Sequence, residues 1–453
     1  MKVSQKDINE KYVNVWTTRK VKELMDKEDK GIKLHMNEKI WFDNKTGVRK
    51  AGIKFAMTKK ELEEYTKCKL DIHYFVNNYC QIKLEDGTIG PMKLRSYQKD
   101  IIDLFQNKRS ILMASRQTGK AQDLDSVVWD DNGRKRFGDL NIGDEIYGDD
   151  GELTNVIGIY PKGKKDIYEV EFSDGLKVKC CDEHLWEVEK YGKKQVLELS
   201  DIMKKYRNDR GDYIYYVKVA EPVNYTEKEL KINPYFLGLI LGDGSTRNNR
   251  LTVSTKDEEI INYLNTLNDK EIKIKHFTRR DKVSYDYGII KKNNKPHKYI
   301  SLLKEMNLME KYSYEKHIPK EYLYGSIKQR LDLLQGLMDT DGYITKNQPH
   351  YCTSSSELCD NVRELCHSLG IKTQIRTKYP TYTYKGIKKD GRKSYIIRLL
   401  LKNDYKYPIF KLTRKQSKIK NKKYDWGQKR GIKNIKYVGK LESQCIEVDN
   451  KNH

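Results

Sequence analysis

At 453 residues the chain is too long for one hydrophobic core, and at about 150 residues per domain it divides into about three. Its formal charge of +24 favours a polyanionic partner, most simply nucleic acid, although AT-rich coding also inflates lysine. No apolar run approaches the ~18 residues that cross a bilayer, and no charged-then-apolar leader opens the chain, so it reads as cytoplasmic with no membrane partner.

Eight cysteines, at 68, 80, 180, 181, 352, 359, 366 and 445, include no C-x-x-C pair, and reduced thiols suit the cytosol. Cys352, Cys359 and Cys366 recur at a regular spacing beside His350 and His367. On a helix each step is about 10.5 Å of rise, too far for one tetrahedral ion. The spacing predicts three cysteines packed on one helix face rather than zinc ligands.

In chain order, residues 1–70 are mixed helix and loop with no chemical signature. Asp86-Gly87 marks a hairpin between short apolar runs. Tyr97-Gln98 opens an amphipathic helix with Ile101, Ile102, Leu104 and Phe105 on its apolar side, and residues 110–113 read as a buried strand. The strand feeds Ala114-Ser-Arg-Gln-Thr-Gly-Lys120, a phosphate-binding loop by its glycine and lysine. Such a loop continues with Ser or Thr, whose hydroxyl holds magnesium, and then with a helix. Here Ala121 follows, and the text turns to strands and turns. The loop is cut at its last position, and a second protein begins at Ala121.

The stretch before the cut resembles the start of the ATPase domain of tailed-phage large terminases, the motors that package DNA. The resemblance covers about residues 70–120. It implies nucleotide contacts for Gln98, Arg116, Gln117, Gly119 and Lys120, with ATP and Mg2+ bound by the uninterrupted host protein only. Ala114 stands where the general loop has its first glycine, a departure shared by that family. No second ATPase strand or nuclease portion follows, so this chain is no packaging enzyme by itself.

From Ala121, the pairs Asn132-Gly133, Asp150-Gly151 and Asp174-Gly175 are hairpin signals that argue for an all-β unit. "GDLNIGDEIYGDDG" and "GLKVKCCDEHLWEV" resemble the N-terminal splicing motifs of inteins, protein-splicing elements with the Hint fold, and "YVGKLESQCIEVDNKNH" resembles their block F. The resemblance implies that the two pieces close one β-domain around everything between them.

The basic middle contains an internal repeat, "PYFLGLILGDGS" at 234–245 and "LLQGLMDTDGYI" at 333–344. Each is an apolar helical segment with a small residue inside it and an acid–glycine stop. Two such segments resemble the paired LAGLIDADG helices of homing endonucleases, and "EKHIPKEYL" at 315–323 resembles block D of that family. On this reading Gly238 and Gly336 let the helices approach at a pseudo-two-fold axis, and Asp243 and Asp341 end them at the DNA-facing centre. A carboxylate at a helix C-terminus is unfavourable unless a cation compensates it. Asp243 and Asp341 would hold Mg2+ and serve in-line hydrolysis of the scissile phosphates. Lys316, at the basic position of block D, would stabilise developing negative charge. Asp339-Thr340-Asp341-Gly342 is no EF-hand, lacking the third ligand position and the distal glutamate. One chain with both motifs implies a monomer cutting an asymmetric site in double-stranded DNA. In Glu271–Arg280, charge and apolar residues alternate, placing Lys and Arg on one sheet face for DNA contacts, with a plain solvated face as the alternative.

Splicing would first break the Lys120–Ala121 bond. Most inteins begin with Cys or Ser, and Ala121 cannot attack. Trp186 lies two residues after the block B His184, and Cys445 takes a block F position usually held by Asp. Together these resemble class 3 inteins, in which the block F cysteine, as a thiolate, attacks the upstream junction directly. His184 would then destabilise or protonate the scissile amide, with Trp186 packed near the nucleophile. The alternative is an ordinary intein whose first cysteine was replaced, Cys445 being incidental. The sequence stops at His453, inside block F, without the His-Asn end and downstream Ser or Thr. As given, only N-terminal cleavage is expected, with a C-terminal fragment missing or supplied by a partner.

The expected architecture is therefore multidomain: a partial α/β P-loop ATPase N-extein at 1–120, an all-β Hint domain at 121–222 and 429–453, and an α+β LAGLIDADG endonuclease with a pseudo-two-fold repeat at 223–428. It would act in the cytoplasm of a phage-infected host cell. Two other readings stay open: an ATP- and DNA-binding packaging-motor fragment with an inert insert, and a non-enzymatic DNA-binding module.

Overall fold

The computed structural model describes residues 26–27, 30–31, 59–83, 89–92, 94, 99, 102–103, 121–277, 285–384, 387–420, 425 and 427–450. The chain forms two compact units, Met1–Ala114 and Ser115–His453. In the first, helices α1 (Lys59–Leu70) and α2 (Ile72–Tyr79) are followed by strands β1 (Gln81–Lys83) and β2 (Ile89–Pro91). Asp71 caps α2 by accepting from the Tyr74 amide at 3.0 Å. Strands β1 and β2 pair antiparallel on either side of Asp86-Gly87, as those turn residues predict. Gln98, Arg116, Gln117, Gly119 and Lys120, with most of the helix and strand leading to them, lie outside the described residues.

The second unit opens with short strands: β3 (Gln122–Asp123), β4 (Val127–Asp130), β5 (Gly133–Arg136) and β6 (Glu145–Tyr147). The 20-residue β7 (Leu153–Phe172) and β8 (Lys177–Cys181) follow, then β9 (Leu185–Lys190), β10 (Lys193–Glu198), helix α3 (Leu199–Lys204) and β11 (Tyr215–Lys218). All three Xaa-Gly pairs turn hairpins, with Gly133, Gly151 and Gly175 at positive φ, where a side chain would be strained. The last strand, β22 (Lys429–Val448), pairs with β7 along nearly its whole length and with β3 and β11. The sheet therefore runs β10-β9-β11-β22-β7-β6, with β3 on β22 and β8 on β7. Its last strand comes from the far end of the chain.

Between β11 and β22 the chain folds the same pattern twice. The first copy is α4 (Pro234–Leu241), β12 (Gly244–Ser245), β13 (Thr252–Ser254), α5 (Glu258–Thr266), β14 (Ile272–Phe277) and β15 (Asp286–Lys291). After α6 (Lys298–Glu305) and α7 (Lys320–Leu323) comes the second: α8 (Ile327–Asp341), β16 (Gly342–Thr345), β17 (Gln348–Thr353), α9 (Ser356–Ser368), β18 (Lys372–Lys378), a small hairpin of β19 (Thr381–Tyr384) and β20 (Ile387–Asp390), and β21 (Ser394–Leu400). A short helix, α10 (Thr413–Gln416), precedes β22. The two sheets have the same order, β12-β13-β15-β14 and β16-β17-β21-β18, both antiparallel. One continuous core, including Phe236, Leu239, Leu333, Leu337, Tyr351 and Val362, fills both repeats.

The cysteine spacing is corrected here. Cys359 and Cys366 sit in the core on α9, but Cys352 is on β17, because Ser355 caps the helix after it by accepting from the Leu358 amide at 3.1 Å. A constant spacing crossed a strand–helix boundary.

Candidate functional site

The central helices start from strong caps. Asn233 accepts from the Tyr235 and Phe236 amides ahead of α4, and Ser326 with Gln329 makes a reciprocal capping box on α8. Every residue of α4 is buried, so it cannot be a surface helix. The helices touch backbone to backbone. A methyl group at Gly238 would lie 2.5 Å from the Leu333 carbonyl and 2.8 Å from the Gly336 Cα, and one at Gly336 would lie 2.9 Å from the Gly238 Cα. Only glycine at both positions permits this approach.

The shared axis brings the two helix ends together, and with them Asp243 and Asp341. Burial raises the Asp243 carboxyl above its ordinary value. It pushes Asp341 up to about 6, with repulsion from Asp243 next in size, against opposing pulls from Lys316 and Lys415. Asp243 is nonetheless solvent-exposed and Asp341 half-buried. The acids stand at the edge of the protein, crowded by it on one side and open on the other.

Lys316 interacts with both acids and with the end of α4. Its Nζ donates to the carbonyls of Ile240, Leu241, Gly242 and Gly244 at 2.8–3.0 Å. Those of Ile240 and Leu241 are among the carbonyls that the end of α4 leaves without intrahelical partners. Burial pulls its ammonium down to about 8, and Asp341 and Asp243 oppose that. The cation that a carboxylate at a helix end calls for is thus a lysine of this chain, with its hydrogen bonds committed to backbone.

The sequence reading missed its counterpart. Lys415 on α10 donates to the carbonyls of Met338 at 3.0 Å, Asp339 at 2.7 Å, Thr340 at 3.4 Å and Gly342 at 2.6 Å, capping α8 as Lys316 caps α4. Asp339 beside it accepts from the Tyr235 hydroxyl at 2.8 Å and from the Lys411 and Leu412 amides, which fix α10 to the helix end. The repeated position within each copy was the available signal, but "LTRKQ" shares nothing else with "EKHIP".

Two carboxylates close enough to repel each other are hard oxygen donors of the kind Mg2+ takes. The mutual repulsion that lifts Asp341 is what a divalent cation would relieve. The residues fit the ion.

A second constellation surrounds Ala121. This residue is 2% exposed and packs with Ile167 and Cys181, and its carbonyl accepts from the Cys181 amide at 3.1 Å. The Ala121 amide in turn is directed at the Cys181 sulfur, whose thiol burial pushes up. Cys181 therefore holds the residue after the junction from both sides, a role the sequence reading did not assign. Strands β22 and β3 pair Ser443 with Asp123 and Gln444 with Gln122. That pairing stops one residue short of Ala121 on one strand and of Cys445, itself buried, on the other. His184 sits in the turn that begins at Cys181, its amide bonded to the Cys181 carbonyl at 3.2 Å. Its ring meets Trp186 edge-on at 5.5 Å, and Trp186 packs on Phe172.

Polar pins hold the repeats together and join them to the β-rich frame. The wholly buried Arg330 donates to the carbonyls of Gly325 at 2.8 Å and Ser368 at 2.6 Å, and also to that of Val223, while its guanidinium lies over the Tyr225 ring. Asp131, at the β4–β5 turn, accepts from Lys228 Nζ at 2.8 Å.

Residues 328–405 match a family model described as LAGLIDADG-like domain. Over 371 residues the chain is 27% identical to the replicative DNA helicase DnaB of Mycobacterium intracellulare, an alignment covering 76% of this chain and 58% of that protein. The chain therefore spans less than two thirds of that relative's length. Among solved structures it is similar to a variant of the gp41-1 intein, at 28% identity, 18% of this chain, 61% of that one and a TM-score of 0.16. It is also similar to I-DmoI in complex with DNA and Mn, at 16% identity, 37% of this chain, 89% of that one and a TM-score of 0.25. Among the described residues no helix is long and apolar enough to cross a membrane. The chain carries a LAGLIDADG-like domain at residues 328–405, and that domain begins on the second of the two acid-tipped helices.

Proposed function

We propose that residues 121–450 are an intein frame enclosing a homing endonuclease, interrupting a terminase-like host at its phosphate-binding loop. The observation that carries the nuclease is the contact of Gly238 with Gly336, which delivers Asp243 and Asp341 to one place with a lysine cap on each helix. Asp243 and Asp341 would hold Mg2+, which supplies charge neutralisation at the scissile phosphate. Lys316 and Lys415 keep the two helix ends from repelling the acids and the DNA. Double-stranded DNA is the substrate, and the inequivalent repeats of a single chain suit an asymmetric site. In this reading the frame is 121–222 and from 429, the nuclease 223–428 and the host segment 1–120.

For splicing, the register of β22 against β3 favours direct attack at the junction by Cys445. Its sulfur adds to the Lys120 carbonyl carbon, and the bond to the Ala121 nitrogen breaks. The proton lost by the thiol passes to that nitrogen. The products are a thioester at Cys445 and a free Ala121 amine. Cys181 would hold the leaving nitrogen, and His184, in the turn that begins at Cys181 and against the Trp186 ring, would assist its protonation.

The test is cleavage, by the purified chain with Mg2+, of a plasmid carrying the uninterrupted host gene across its phosphate-loop codons. A double-strand cut near the Lys120 codon that disappears in Asp243→Asn and Asp341→Asn supports the reading. No cut by a folded, DNA-binding chain overturns it in favour of an inert insert.

A further inference from the structure

The two repeats place their acids at the same point of the fold. Asp243 and Asp341 are each followed by a glycine that opens a short strand, β12 in the first repeat and β16 in the second. Each glycine faces back over the last turn of its own helix. A methyl group at Gly244 would lie 2.5 Å from the Ile240 Cα, and one at Gly342 would lie 2.7 Å from the Met338 Cα. The residue paired with that glycine on the next strand shares its face of the sheet. It is Val253 opposite Gly244 and Tyr351 opposite Gly342, equally far after the acid in both copies.

Both side chains are wholly buried, and the valine shows what the fold itself needs there, an apolar group beneath the helix end. Tyr351 fills the same position but ends in a buried hydroxyl with no hydrogen-bond partner among the described residues. Buried polar groups in folded proteins are bonded to protein or to ordered water, and one that the protein leaves over calls for a reason. Phenylalanine would fill the space without taking a hydroxyl out of solvent.

The hydroxyl stands on the acid side of the helix end. Burial pushes it well above its ordinary value, Asp341 adds more than any other neighbour, and Asp243 across the axis adds as well. Other acceptors at this end of α8 are engaged. The carbonyls of Met338, Asp339, Thr340 and Gly342 accept from Lys415, and the Asp339 carboxylate accepts from Tyr235 and the Lys411 and Leu412 amides. That leaves the Asp341 carboxylate. A bridging water serves such a pair nearly as well as a direct bond.

We propose that Tyr351 is a positioning residue for Asp341, its hydroxyl holding that carboxylate through one enclosed water, while Val253 gives Asp243 no such support. The proposal rests on the endonuclease reading and extends it, because the two strand cuts then depend on different residues. The pseudo-two-fold axis relates the two acids and, with them, the two scissile phosphates, so a support for one acid bears on one strand. Groups that orient a metal-holding carboxylate from behind are worth about 10- to 100-fold in metal affinity or activity.

The experiment uses the full chain and a duplex spanning the uninterrupted insertion site, labelled on one strand or the other. With Mg2+, single-turnover cleavage by Tyr351→Phe is expected to slow about 10- to 100-fold on one strand and to keep the wild-type rate on the other, so that nicked duplex accumulates. Without metal, urea unfolding separates a link to Asp341 from plain packing. Tyr351→Phe should lower the midpoint by about 0.3 M in the wild-type chain and leave it unchanged in the Asp341→Ala chain. Equal slowing of both strands, or of neither, overturns the proposal, as do equal midpoint shifts in the two backgrounds. If the wild-type chain cuts neither strand, the endonuclease reading falls, while the unfolding cycle still decides whether Tyr351 holds Asp341.

Discussion

Gly336→Ala tests the geometry on which the acid pair depends. The added methyl would lie 2.9 Å from the Gly238 Cα and 3.0 Å from the Leu239 nitrogen, both backbone atoms of a fully buried helix. Ordinary carbon contacts need about 3.5–4.0 Å, so α4 and α8 must separate by several tenths of an ångström to about 1 Å. No side chain can swing aside. Overpacking costs about 1–3 kcal/mol, and backbone on both sides puts this substitution at the upper end. For a unit of this size that lowers the Tm by roughly 5–10 °C. The same separation moves Asp341 against Asp243, and a misplacement near 1 Å costs about 100-fold in rate. Thermal unfolding followed by circular dichroism and single-turnover DNA cleavage read the two effects. A variant that melts within a degree of wild type would refute the close packing of the helices. One that melts lower but cuts at the wild-type rate would show that the acids do not depend on it.

Arg330→Met should be among the most damaging single changes, because it strands the carbonyls of Gly325, Ser368 and Val223 in the core at about 1–3 kcal/mol each. Urea unfolding should show a midpoint well below wild type, and an unchanged midpoint would refute the pinning role. Burial pulls the His367 imidazole down to about 4, with Arg430 adding to the effect. The unfolded chain therefore binds more protons between pH 4 and about 6.5, so this contribution is complete above 6.5 and is lost as pH falls toward 4, by up to about 3 kcal/mol. His367→Gln should flatten that part of the stability–pH curve. Thiol reagents should release a fragment ending at Lys120, Cys445→Ala should abolish the release, and Cys181→Ala should slow it, all read by mass spectrometry. Release from the Cys445→Ala chain would assign the attack to another group. Asp341→Asn should lower DNA cleavage at least 100-fold while leaving metal-free DNA binding intact, as it removes one ligand and one repulsive charge. Loss of binding instead would make the residue structural.

Much of the plan was legible because its signals are local. Asn132-Gly133, Asp150-Gly151 and Asp174-Gly175 turn hairpins between their flanking strands, since a glycine free of Cβ strain takes those angles at little cost. The repeated glycine-then-acid helices announced both their partner and their axis, because a small residue on a buried helix face leaves room for little except another backbone. The cysteine spacing misled, since periodicity cannot show where a strand gives way to a helix.

The chain by itself therefore determined the repeat, the hairpins and the acid pair. Tertiary structure alone decided three things. It selected Lys415 from 89 basic residues, because its task is to reach carbonyls more than seventy positions away. It brought the strand that carries Cys445 beside the strand that follows Ala121, because the register of a long strand is fixed by pairing along β7 and by which face must be buried. It placed Cys181 on the junction, because a buried amide and carbonyl must find partners and the nearest strand supplied them. Such choices depend on atoms distant in sequence meeting in space, and local pattern carries no record of them.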